Sequence, residues 1–286
     1  MLVGVMLLWF LLTALSLLYV VMDIRSTPAS PVLKWGFVLL TAYTGPLGAF
    51  LYVLGCREPL PGLHERYVAT RWRQVLGSTM HCVAGDGLGI LAGAVLARLF
   101  HLPKAADIML EYALGFGFGW TVFQSLFMRG MAGGSYLRAL SSTFLPELLS
   151  MNCLMAGMVP VMTLAMKSVP ASHNPSGPEF WFIMSMALLV GFITAYPMNW
   201  WLVSRHMKHG MMTVRPLQRS IESGVHKSLQ DDHSTREGTE GAQRAGKPPM
   251  DSDINSLSAG VLTWITILSF LIFGLGLFIA VILGGF

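Results

Sequence analysis

Residues 75–100 read VLGSTMHCVAGDGLGILAGAVLARLF, and the fold class turns on this stretch. A membrane helix needs about 20 mostly apolar residues to cross the hydrocarbon core. The stretch exceeds that, and its only charged side chains are Asp86 and Arg98. Gly77, His81, Gly85, Gly89, Gly93 and Ala97 recur every four residues and so form one stripe on a helix. Small residues at that spacing let a neighbouring backbone approach closely. The stripe, His81 included, is therefore expected to face protein rather than lipid. Cys82 and Asp86 share the adjacent stripe.

Six further apolar runs lie outward from it: Val3–Val21, Val32–Leu54, Ala105–Phe127, Leu140–Met166, Phe180–Val203 and Leu257–Gly285. The first has no basic segment before it and no small-residue cleavage site, so it is read as a helix rather than a signal peptide. Composition agrees with a polytopic membrane protein. Of 286 residues, 53% are hydrophobic and 12% charged, against about 25% charged in a soluble domain, and the mean hydropathy is +0.58. Disordered, collagenous, coiled-coil and disulfide-scaffold classes are excluded, and a water-soluble enzyme is disfavoured. Cys56, Cys82 and Cys153 are too few for a disulfide framework and are expected as free thiols.

The expected fold is all-α: a transmembrane bundle with a six-helix core over 1–216, a flexible cytoplasmic linker over 217–256, and an accessory seventh helix over 257–286. Gly45-Pro46 should kink the second run, because proline lacks the backbone donor and clashes with the preceding turn. The linker is polar, rich in Gly, Ser, Asp and Glu, and carries Pro248-Pro249. Orientation follows the cytoplasmic excess of Lys and Arg. Odd loops hold five such residues: Arg25, Lys34, Arg98, Lys104 and Lys167. Even loops hold six, and Arg205, Lys208, Arg215 and Arg219 bring them to ten. The even loops and the N-terminus are thus expected in the cytoplasm, and Phe286 outside. The formal charge of +4 serves this orientation and does not point to nucleic acid.

Ionisable groups inside a bilayer are costly and mark candidate sites. They are His81, Cys82 and Asp86 in the third run and Glu147 in the fifth; Glu111 and Glu179 lie near outer ends, within reach of the headgroups. His81 and Glu147 each lie seven residues into their runs, about 10 Å deep at 1.5 Å per residue. Asn199 returns to the same depth on the sixth run. The expectation is that His81, Glu147 and Asn199 meet in one layer, with Cys82 and Asp86 lining an adjacent cavity.

Met151, Met155, Met158, Met162 and Met166 form one helical face with Glu147. Thioethers suit Cu(I), although methionine at this spacing also simply fills gaps between helices. His206, His209, Met211 and Met212 follow the sixth run and could capture a soft cation. Alternatively, Arg205 and Lys208 beside them would contact anionic lipid. The candidate metal set is His81, Cys82, Met151, Met155, Met158, His206, His209, Met211 and Met212. No phosphate-binding loop, nucleophile elbow, H-E-x-x-H or C-x-x-C motif is present, so no reaction is named and no cofactor implied beyond copper.

Four stretches carry a resemblance: residues 42–48 (AYTGPLG), His81-Cys82 with Gly85 and Gly89, residues 196–202 (YPMNWWL), and residues 208–212 (KHGMM). Together they resemble the bacterial membrane family catalogued as domain of unknown function 4396, from about Asp23 to Pro216. The resemblance implies a multi-pass protein of the bacterial inner membrane, near copper-handling proteins as partners, with no established activity. Many members carry a second cysteine where this chain has Asp86, so Cys82 would act with Asp86 and His81. Three functions follow: a carrier of a soft cation such as copper, a non-catalytic assembly or partner subunit, and an intramembrane enzyme with Cys82 as nucleophile. The last is disfavoured because residues i and i+1 diverge by about 100° on a helix.

Overall fold

A computed structural model describes residues 2–60, 62–129, 134–210 and 258–284. These form an all-α bundle with no β-strand among the described residues. Five helices are long and apolar enough to cross a membrane: α1 (Leu2–Asp23), α5 (Arg71–Leu99), α8 (Tyr136–Ser168), α9 (Pro178–Ser204) and α10 (Ala259–Gly284). The expected linker over 217–256, Met211 and Met212 fall outside the described residues.

The second apolar run is not one kinked helix but two, α2 (Pro31–Thr44) and α3 (Pro46–Gly55). Gly45 between them has φ +59°, a conformation that L side chains resist. A Cβ there would also come within 2.6 Å of Thr13 Oγ1 on α1. Pro46 then opens α3 at a position where its missing donor costs nothing. Asp23 at the end of α1 ties the α3 end down: it pairs with Arg57 at 3.0 Å and accepts from Tyr52 Oη at 2.7 Å. A short surface helix, α4 (His64–Val68), leads into α5.

The glycine stripe of α5 packs on α6 (Lys104–Phe118). Gly93 faces the Glu111 backbone, Gly89 that of Leu114, and Gly85 the Cα of Gly119; a Cβ on any of them would collide with it. α6 runs into a π-helical turn, Gly119–Gln124, and then α7 (Ser125–Arg129). The wide turn leaves Trp120 O off the α ladder, where Ser125 Oγ donates to it at 2.7 Å. α8 spans 33 residues and contains Pro146 and Pro160. It packs against α9 on one side and α10 on the other. α10 is therefore docked: Gly276 lies against the Ala156 backbone, and Asn152 Nδ2 donates to Ser269 Oγ at 3.0 Å.

Candidate functional site

The end of α9 determines the site. Its last turn closes as a Schellman motif, in which the chain reverses through one left-handed residue. His206 takes that position with φ +58°. Its N–H donates to Val203 O at 3.2 Å, and the Met207 N–H donates to Leu202 O at 3.0 Å. Met207 and Leu202 pack together with Leu149, Cys153 and Met198, the apolar contact that accompanies this motif. The reversal sends the next residue, Lys208, back into the bundle. Gly210 completes the return: a Cβ there would lie 2.5 Å from the Gln74 Cα.

Lys208 is buried, with 1% of its surface exposed. Its Nζ donates to Glu147 Oε2 at 2.8 Å and to Cys82 Sγ at 2.6 Å. The Cys82 thiol donates to Glu147 Oε2 at 3.3 Å and lies 3.9 Å from Asn199 Oδ1. Asn199 Nδ2 donates to Ser150 Oγ at 2.8 Å and to Ala195 O at 3.1 Å, while Ser78 Oγ reaches Asn199 Oδ1 at 3.4 Å. Helices α5, α8 and α9 and the returning chain thus each contribute to one buried polar centre. It lies toward the end of the bundle where α5 begins and α9 finishes.

Asp86 is one turn further along α5 and fully buried. Its carboxyl reaches that of Glu147. Both aim at Gly119, the first residue of the π turn: a Cβ there would overlap Asp86 Oδ1 and lie 2.9 Å from Glu147 Oε1. Neither Asp86 oxygen nor Glu147 Oε1 has a hydrogen-bond donor among the described residues. Two carboxyls facing one ammonium are neutral as a set only when one proton is added. The centre thus brings the Cys82 thiol and the Glu147 carboxyl onto one ammonium, with the Asp86 carboxyl beside them.

Of the sequence-derived candidates, Cys82, Asp86, Glu147 and Asn199 come together here. His81 turns away, its ring 4.1 Å from the Phe127 ring and both nitrogens without a partner among the described residues. Met151, Met155 and Met158 are fully buried in the main apolar core, as is the rest of their stripe apart from traces of exposure at Met162 and Met166. His206 is exposed at its turn, and His209 is half-buried. Among the described residues no three His, Cys, Asp or Glu side chains are gathered as a metal-holding group. The sequence offers Lys208 a contact with anionic lipid, as the alternative to cation capture by its neighbours. Lys208 is instead the counter-ion of Glu147, and Ser78, Ser150 and Gly119 were not singled out at all. The available signal was Gly210 two residues beyond Lys208, a residue type that permits close backbone approach.

Comparison with known proteins adds one finding. No curated protein and no solved structure matches the chain. The family described as domain of unknown function (DUF4396) matches residues 71–208. That segment opens at the first residue of α5 and closes on Lys208, so it contains every member of the polar centre and omits α1–α4 and α10. The likeness to this family thus covers residues 71–208, the part of the chain that builds the polar centre.

Proposed function

We propose that the protein is a carrier for a soft cation such as copper(I), with Lys208 as a tethered cation that holds the site until cargo arrives. The observation that carries this reading is the seat of the Lys208 ammonium, between the Cys82 thiol and the Glu147 carboxyl. A thiolate is a soft donor and a carboxylate supplies charge, so the same pair can accept a metal ion once the lysine withdraws. Cys153, Met198 and Met207 are buried in one cluster beside it and offer further soft donors. The lysine leaves by reopening a short surface turn rather than a helix. The proposed setting is the bacterial inner membrane, multi-pass, with the N-terminus cytoplasmic and the C-terminus outside; copper-handling proteins would deliver or receive the ion.

The test is competition for Cu(I) between purified protein and a chromogenic chelator. Lys208→Met should tighten binding at least about tenfold, since each 1.4 kcal/mol of removed competition is worth that factor. Cys82→Ser should abolish it. A second reading draws on the same ion pair: Lys208 already neutralises Glu147, so the centre can serve only to lock helices of a partner subunit. Absence of Cu(I) binding in both wild type and Lys208→Met would establish that reading over the carrier.

A further inference from the structure

The opposite end of the α5/α6 interface carries a second buried acidic pair. Asp107 and Glu111 are four residues apart on α6 and face the same way. Both are buried, Glu111 completely. Their carboxyl groups are within hydrogen-bonding reach of each other. Arg98, near the end of α5, pairs with Asp107 Oδ2 at 3.1 Å and points Nη2 at Met166 Sδ, 3.5 Å away. Both Glu111 oxygens and Asp107 Oδ1 lack a donor among the described residues. Beside Asp107 lies a cavity of about 310 Å³, with Arg98, Met162 and Met166 in its wall. Lys104, Lys167 and His173, all exposed, line its rim.

We propose that Asp107 and Glu111, held by Arg98, form a proton-binding site that exchanges its proton through this cavity. The charge count gives the ligand. One guanidinium balances one carboxylate, and the second carboxyl has no positive partner in a fully buried position. An uncompensated buried carboxylate is too costly to persist, so the pair holds one shared proton. A metal cation is the poorer ligand here. Arg98 already fills the cation position, and a rim carrying Lys104, Lys167 and His173 repels positive ions. The groups facing the pair from packed elements are Arg98 on α5, Lys104 on α6, Lys167 on α8 and His173 in the short turn after it. α10 contributes no ionisable side chain to this cavity. The site does not depend on the copper reading, because what it binds is a proton rather than the cargo.

Infrared spectroscopy of the whole protein in lipid nanodiscs tests this through the carbonyl stretch of protonated carboxyl groups. In wild type, one component of that band should belong to this pair and shift within minutes of transfer to D2O. Glu111→Gln should remove that component and leave the melting temperature unchanged or higher, since an Asp107–Arg98 ion pair remains. Arg98→Gln should enlarge the band by one further protonated carboxyl. A band unchanged in both variants would overturn the proposal, and so would a component that does not exchange in D2O. The Arg98→Gln reading stands even if Glu111→Gln fails to fold. Loss of copper binding by Cys82→Ser bears only on the other site, so the two readings fail separately.

Discussion

An ammonium taken fully out of water persists only beside a counter-charge, and Lys208 has that charge in Glu147. Removing either partner strands the other, at a cost of about 3–5 kcal/mol in buried pairs of this kind. Glu147→Gln and Lys208→Met should each lower the melting temperature in detergent, and the double variant should recover most of the loss. Additive losses would mean that the two residues are stabilised independently. His206 offers a second test at the same scale. Its positive φ is strained for a side chain with a Cβ, and glycine removes that strain. His206→Gly should therefore raise stability by about 0.5–1 kcal/mol and leave Cu(I) binding intact; weakened binding would restore His206 as a ligand. Depth on each helix was readable from the sequence, which is why Glu147 and Asn199 were placed in one layer. Azimuth was readable only in part. The glycine stripe correctly put His81 against protein, but which neighbour each face meets depends on tertiary packing. α7 takes the His81 face, leaving Cys82 for Glu147.

At the scale of elements, the α5/α6 interface is built from absent side chains. Gly89→Ala would drive a methyl group into the Leu114 backbone, which cannot yield as a side chain tip can. A loss of about 1–3 kcal/mol is expected for such overpacking. Gly117, on α6, has open space where its Cβ would sit. There Gly117→Ala should stabilise by about 0.5–1 kcal/mol through helix propensity alone. Thermal unfolding of the two variants checks the contrast; similar shifts would mean the interface is looser than its geometry. The period of four made this interface legible in advance. The π turn at Gly119 was not legible, because residues 119–124 (GWTVFQ) carry no breaker beyond one glycine. It is needed in three dimensions: an extra backbone residue there widens the turn that faces the Asp86 and Glu147 carboxyls. Such turns are frequent at functional sites.

For the whole molecule, the sequence separates α10 from the body by a long polar stretch and makes it an accessory helix. In the structure that helix packs on the body. Gly276 allows α10 to approach the Ala156 backbone on α8, and Asn152 joins Ser269 on α10 to Tyr112 on α6, with Tyr112 Oη donating to Asn152 Oδ1 at 2.6 Å. At the C-terminal ends of α8 and α10, Lys167 Nζ donates to Leu283 O at 3.1 Å. Polar bridges between membrane helices are each worth about 0.6 kcal/mol on average, so close backbone contact has to supply most of the association. A protease site inserted within 217–256 and cleaved in membranes should therefore leave α10 bound, and it should co-purify with the body in mild detergent. Gly276→Leu should release it, because the larger side chain cannot fit against Ala156. If α10 separates from the unmutated body after cleavage, the covalent connection rather than the helix face holds it. If Gly276→Leu stays bound, the Asn152–Ser269 bridge carries more than its expected share, and Asn152→Ala would then be the variant that frees the helix.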